Sequence, residues 1–179
     1  EQKLPKLCQM LTDMNPYLAI VFCNTKEWTS LLAGKLIAKG FNIGELHGDM
    51  SQSRRNQVLR DFAKAKTQIL VATDIAARGI DIDQLPLVIN YELPEVAETY
   101  VHRIGRTGRA GSEGLSIMFA TAADENWVRR IEHNIHATIT KYTLTGQVKV
   151  KASSRPPKKK KTYKDKLPAS TYQTTKEKR

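Results

Sequence analysis

Residues 100–111 read YVHRIGRTGRAG and set Arg103, Arg106 and Arg109 three apart, with Gly105 and Gly108 between them. A guanidinium is planar, permanently charged and forked, so it can pair with phosphate oxygens two at a time. A helix opening at Pro94, with Glu95 and Glu98 in its first turn, is expected to be buried through Val101 and Ile104 and to end near Gly105. That leaves Arg106 and Arg109 on a loop whose glycines allow tight turning and close approach to another surface. Ion pairs with Glu95, Glu98 or Glu113 are the competing use, but they account for neither the glycines nor the spacing.

What the chain lacks gives these arginines their meaning. It contains no G-x-x-x-x-G-K-[ST] loop; Gly34, Gly40 and Gly44 do not form that pattern. Nor does an acidic cluster suited to magnesium follow any strand. Phosphoryl transfer needs both a phosphate cradle and a metal site. Arg106 and Arg109 therefore read as fingers that reach a nucleotide bound by a different domain.

Other polar groups gather where a parallel α/β sheet collects ligands, at the carboxyl ends of its strands. These are Asn24-Thr25, His47-Gly48-Asp49, Thr73-Asp74 and the loop through Arg78, Gly79 and Asp81. Hydroxyls and a glycine there suit the phosphates of a strand laid across the edge. Asn24, Ser51 and Asp74 would equally serve as helix caps with no ligand. Arg54 and Arg55 stand in the first turn of their helix, where the dipole disfavours cations, and an external anion would compensate them.

The elements that must position these residues follow from apolar patterning. Residues 18–22 (LAIVF), 42–46, 69–72 (ILVA), 87–90 (LVIN) and 115–119 (LSIMF) read as strands, continuous in apolar residues where both faces are covered. Trp28, Leu31, Leu32 and Leu36 recur at helical spacing, with Asn24 and Glu27 as a cap pair and Gly40 as the stop. Ser51 is expected to cap a helix buried through Val58, Leu59 and Phe62, and another helix runs from about 123 to 136. Alternation of this kind predicts an α/β fold with a mainly parallel sheet.

Charge divides the chain. Residues 1–140 hold 16 Lys and Arg against 16 Asp and Glu, whereas residues 141–179 hold 13 against 2 and so supply the whole net charge of +11. This split suits a polyanion-binding arm rather than a solvated face. From about 141 the pattern fades, and the extension 141–179, with its stretch RPPKKKKTYKDKLPASTYQTTKEKR almost free of large aliphatics, is expected to be disordered when unbound; its Tyr163 and Tyr172 could stack on bases. Cys8 and Cys23 are too few for a disulfide framework, no run approaches the ~18 apolar residues of a membrane span, and EQKLPKLCQM lacks a secretion pattern. A reducing, cytoplasmic setting is expected, with RPPKKKK also resembling a nuclear-localisation run.

Taken together, IVFCNT (20–25), Gln52 and Arg55 in MSQSRRNQVLRDF, ATDIAARGIDI (72–82), VINYELP (88–94) and HRIGRTGR (102–109) resemble the second RecA-like domain of the DEAD-box ATP-dependent RNA helicases. The resemblance covers roughly residues 1–140, with Glu92 where the family often has Asp. It implies a three-layer RecA-like fold, followed by the basic extension from 141. It also implies that ATP with magnesium sits mainly on an N-terminal RecA-like domain absent from this chain. Arg106 and Arg109 would then act as arginine fingers, Asp81 would hold the ribose with Gly79 in the same loop, and His102 and Arg103 would join the interdomain network. Thr25, Gly48, Arg55 and Thr73 would lie along the RNA backbone, and bending of that strand would separate short duplexes.

Two other uses compete. One is a nucleotide-independent nucleic-acid-binding or scaffold module acting through the basic tail; the other is the equivalent domain of a DNA helicase. The start at EQKLPKL, without methionine, suits a fragment of a longer frame. His133 and His136 could reach one metal, but no third ligand is in view.

Overall fold

The computed structural model describes residues 2–78, 84–108, 113–143 and 146–147. Strands β1 (Ala19–Cys23), β2 (Ile43–Leu46), β3 (Ile69–Thr73), β4 (Leu87–Asn90) and β5 (Leu115–Met118) form one parallel sheet in the order β2-β3-β1-β4-β5. Each begins and ends within one residue of its predicted position. The three central strands, β3, β1 and β4, are buried along their whole length. Helices α1 (Lys3–Met14), α2 (Lys26–Ile37), α3 (Gln52–Ala63), α4 (Asp74–Ala77), α5 (Ala97–Ile104) and α6 (Glu125–Ile135) connect and cover them.

Alternate strand residues sort into two cores. Ala19, Val21 and Cys23 of β1, with Ile69, Val71, Leu87 and Ile89, meet Leu7 and Leu11 of α1 and Leu32, Ala33 and Leu36 of α2. Ile20 and Phe22, with Leu70, Ala72 and Val88, meet Phe62 of α3 and Ala76 and Ala77 of α4. The result is the three-layer α/β fold that the resemblance implies. Each fully buried Leu, Ile or Phe contributes roughly 1.5–3 kcal/mol. The helices divide between the faces because crossovers between parallel strands keep one hand. The step from β1 out to β2 carries α2 on one face, and the returning steps carry α3 and α4 on the other.

Several local expectations are corrected. Helix α1 was not foreseen, although Leu4, Leu7 and Leu11 stand at helical spacing; it ends at Asn15 in the left-handed region. In α2 the buried face is Thr29, Leu32, Ala33 and Leu36, while Trp28 and Leu31 remain 46% exposed. Thr25, not Asn24, caps α2, its hydroxyl accepting from the Trp28 amide at 3.2 Å. Thr73, not Asp74, likewise caps α4 by accepting from Ala76 N–H. Ser51 caps α3 as expected. Helix α5 begins three residues after Pro94 and buries Tyr100 and Arg103, whereas Val101 is 40% exposed. A 3-10 turn (Ala122–Asp124) precedes α6, where Thr121 donates its N–H and hydroxyl to Asp124 and so holds that carboxyl below the usual carboxylate range.

Cys23 is fully buried at the end of β1, and desolvation pushes its thiol up to about 12. Cys8 is half-buried and raised less. At pH 8, alkylation of the folded protein is expected to label Cys8 alone, with Cys23 reacting only after denaturation; peptide mass spectrometry reads the difference. Native labelling of Cys23 would mean that β1 opens.

The chain divides into two compact units, 1–139 and 140–179. In the second, Tyr142–Thr143 pairs antiparallel with Gly146–Gln147, inside a segment expected to lack structure when unbound. The lysine run, Tyr163 and Tyr172 lie outside the described residues. Among the described residues no helix is long and apolar enough to cross a membrane.

Candidate functional site

Strands β1 and β3 are neighbours with Cys23 opposite Thr73, so the loops Asn24-Thr25 and Thr73-Asp74 open side by side. One leads to α2 on the first face and the other to α4 on the second. Adjacent strands whose following helices part to opposite faces leave a crevice at the carboxyl edge, the usual ligand position of an open α/β sheet. Thr25 is exposed at its rim and Thr73 is 8% exposed within it. Each hydroxyl oxygen already accepts a helix amide, yet each keeps its own proton to donate outward.

On the flank of the crevice, Gly48 follows β2 and is exposed, with nothing within 4 Å of where a Cβ would stand. Beside it the Lys26 ammonium meets the Asp49 carboxylate at 2.5 Å. That hydrogen bond raises the lysine pKa and lowers that of the aspartate. Arg55 reaches from the first turn of α3 and donates to the Ala76 carbonyl at 2.5 Å. It therefore has an internal partner near the end of α4, where an external anion was expected to compensate it. Arg54 is exposed.

Arg103, expected to join an interdomain network, is 1% exposed in this chain, with its guanidinium bonded within its own domain. Nε donates to Asp74 Oδ1 at 2.7 Å, and Nη2 donates to Asp74 Oδ2 at 2.6 Å and to Asn24 Oδ1 at 2.9 Å. Nη1 donates to Asn90 Oδ1 at 3.2 Å and to the Glu92 carbonyl at 2.7 Å. All the donors of a guanidinium are thus used, as burial of a charge demands. The group also lies over the Phe22 ring, 5.1 Å from its centroid. Asn24 adds two ties, its amide N–H to the Glu92 carboxylate and its side-chain NH2 to the Leu93 carbonyl, both at 2.8 Å. Asn90 and Glu92 were not foreseen as members of this group. The available signal was a polar residue closing the apolar run LVIN, since a buried amide must find partners.

Arg106 follows α5 and is half-buried. Its amide donates to the Arg103 carbonyl at 3.2 Å and its carbonyl accepts from Leu85 N–H at 2.9 Å. The Thr107 hydroxyl donates to the Leu85 carbonyl. Arg106 lines a shallow depression with Asp74, Arg78, Thr99, His102 and Arg103. With Arg78 and His102 exposed there, the depression suits an anion. Gly108 has φ +65°, which calls for glycine, whereas Gly105 has φ −64°, open to any residue. Gly79, Asp81 and Arg109 lie outside the described residues.

Gly114 packs directly under this loop. A Cβ there would stand 1.8 Å from Thr107 Oγ1 and 2.6 Å from Gly108 N. Gly114→Ala is expected to displace the loop that carries Arg106 and to cost about 1–3 kcal/mol, measured as a lower denaturation midpoint. An unchanged midpoint would mean that the loop does not rest on Gly114.

His133 and His136 meet edge to face, with ring centroids 6.2 Å apart. Among the described residues no group of three or more His, Cys, Asp or Glu is placed to hold a metal ion.

Residues 2–111 match the family model described as the helicase conserved C-terminal domain. ATP-dependent RNA helicase FAL1 of Saccharomyces cerevisiae is 44% identical over 132 residues, which make up 74% of this chain and 33% of that protein. The crystal structure of a DEAD box protein from the hyperthermophile Methanococcus jannaschii is similar at a TM-score of 0.73 and 43% identity, covering 79% of this chain and 39% of that one. E. coli DEAD-box protein SrmB, solved bound to regulator of ribonuclease activity A, is similar at 0.74 and 34% identity, covering 86% of this chain and 91% of that one. The chain spans about a third of the length of the curated relatives it matches.

Proposed function

The chain belongs to the DEAD-box RNA helicase family as its C-terminal RecA-like domain, and from that premise we propose that it is the closing half of an ATP-dependent RNA helicase. ATP with magnesium, held mainly by an N-terminal RecA-like domain of the same parent chain, would supply the phosphoryl chemistry. This chain's part is to bring charge to it. Arg106, with Arg109, neutralises charge on the β/γ-phosphates as the two domains close; Asp81 accepts from the ribose hydroxyls, with Gly79 in the same loop. His102, exposed on α5 beside Arg106, meets the other domain.

RNA lies across the crevice. Thr25 and Thr73 donate their hydroxyl protons to successive phosphates, the open backbone at Gly48 lets the strand approach, and Arg55 supplies a cation. Contacts of this kind position the strand and carry little sequence information, which suits a domain that bends whatever short duplex it grips. The two free cysteines are consistent with a reducing setting, and we place the protein in the cytoplasm.

The observation that carries this reading is the closeness of the two functions on one sheet edge. Cap hydroxyls ready for phosphates flank Asn24 and Asp74, and the guanidinium that binds both of these lies one turn before Arg106. ATP turnover by the full-length protein, measured with RNA, with DNA of the same sequence and with neither, tests it. Stimulation by RNA alone is expected, with no turnover by this chain on its own. Metal-dependent phosphate release by the isolated chain, or no response to RNA, overturns the reading; equal stimulation by DNA makes the protein a DNA helicase instead.

A further inference from the structure

We propose that the groove between α5 and α6 is a docking site for an acidic peptide of a partner protein, which seats an apolar side chain on Val96 and Trp127 and sets its carboxylates over Arg130 and Arg129. The groove has a volume of about 460 Å³, within the range of sites that hold small ligands. Val96, Ala97 and the ring of Trp127 give it an apolar floor. Val96 stands at the N-cap of α5, a position that favours Ser, Thr, Asn or Asp; it makes no capping hydrogen bond and is 51% exposed. An apolar residue that forgoes the cap and stays in water suits a surface that a partner covers.

The rim is cationic. Arg130 lies over Trp127, 5.8 Å from the ring centroid, and among the described residues it meets no carboxylate. Arg129 pairs with Glu125 at 2.8 Å, an exposed contact that exchanges partners at little cost. Glu98 lines the opposite, α5 side, so the occupant's carboxylates belong over α6.

Other occupants fit less well. Trp127 donates its indole N–H to the Pro94 carbonyl at 2.9 Å, and Arg130 covers part of its ring, which leaves a nucleobase no donor and little stacking surface. The extension of this chain carries 13 Lys and Arg against 2 Asp and Glu and would set like charge against Arg130. The groove is also separate from the crevice. Thr99 and His102 line the depression beside Arg106, and they stand roughly 140–160° round α5 from Ala97. A peptide in the groove therefore leaves that depression open.

The test selects displayed random octapeptides against the full-length protein and titrates fluorescein-labelled copies of the enriched ones by anisotropy. Sequences that join Leu, Ile or Phe to several Asp or Glu are expected. Val96→Ser removes part of the floor while supplying a capping hydroxyl, so binding should weaken by about 5-fold with the fold secure. Arg130→Glu reverses one charge contact and should weaken binding by about 10-fold or more. RNA-stimulated ATP turnover should be unchanged in both variants. No enriched peptide, or enriched peptides without acidic residues, would overturn the proposal. Acidic peptides that bind both variants as tightly as the unmodified protein have gone to the basic extension and overturn it too. A fall in RNA affinity or turnover with Arg130→Glu would give the groove to nucleic acid instead. A dimer in sedimentation velocity that Arg130→Glu dissociates would give it to a second copy; either result overturns the peptide assignment.

Discussion

Arg106→Ala in the full-length protein is expected to lower RNA-stimulated ATP turnover by about 10³-fold or more, the effect of removing an arginine finger. The loss corresponds to roughly 4 kcal/mol of transition-state stabilisation, because a fixed guanidinium in a closed, dry site meets charge that water would otherwise have to reorganise around. The fold should survive. The backbone ties that seat the loop, from Arg106 to Arg103 and from Leu85 to Arg106, do not involve the side chain, and the Thr107 hydroxyl still reaches Leu85. Circular dichroism and the thermal midpoint separate the two effects. Arg106→Lys should recover only part of the rate, since an ammonium cannot pair with two phosphate oxygens in one plane. Near-normal turnover by folded Arg106→Ala would remove the finger assignment.

The second large effect is on stability. Asp74→Ala strands the Arg103 charge in a site where it is 1% exposed, and breaking one side of a buried pair costs about 3–5 kcal/mol. The bidentate contact is the strongest single element of the cluster, so its loss exceeds that of any one neutral acceptor. Removing Arg103 as well is no simple remedy, because Asn24 Oδ1, Asn90 Oδ1 and the Glu92 carbonyl would lose their donor. Urea unfolding of this chain measures the effect: the midpoint should drop while the slope stays constant. A loss below about 1 kcal/mol would mean that water reaches the pair as it does at a surface.

The two predictions separate neighbours that look alike. Arg103 and Arg106 are the same residue type, three apart in one motif, yet one is 1% exposed with every donor used inside the domain and the other is half-buried on the loop after α5. The cap positions moved for the same kind of reason. Asn24 has the composition of a cap, but its amide group is committed to the Leu93 carbonyl and to Arg103, and Thr25 caps α2 in its place. Arg55 looked like a cation awaiting an anion; the Ala76 carbonyl on another element takes one of its donors and steadies it, but leaves its charge uncompensated. Glu92, the one departure within the motifs, uses its longer side chain to accept the Asn24 amide.

By itself the sequence determined the five strands, the burial of the three central ones and the family, whereas the outer strands β2 and β5 are only partly covered. A strand covered on both faces must be apolar throughout, and that signal needs only neighbouring residues; the motifs and the missing phosphate loop are likewise local text. The tertiary structure alone decided which arginine turns inward. The acceptors that hold Arg103 lie 13, 29 and 79 residues away in Asn90, Asp74 and Asn24. They converge only because three parallel strands, β4, β3 and β1, end side by side. A buried charge goes where its partners can all be reached at once, and that condition is written in the packing of the sheet rather than in the spacing of the motif.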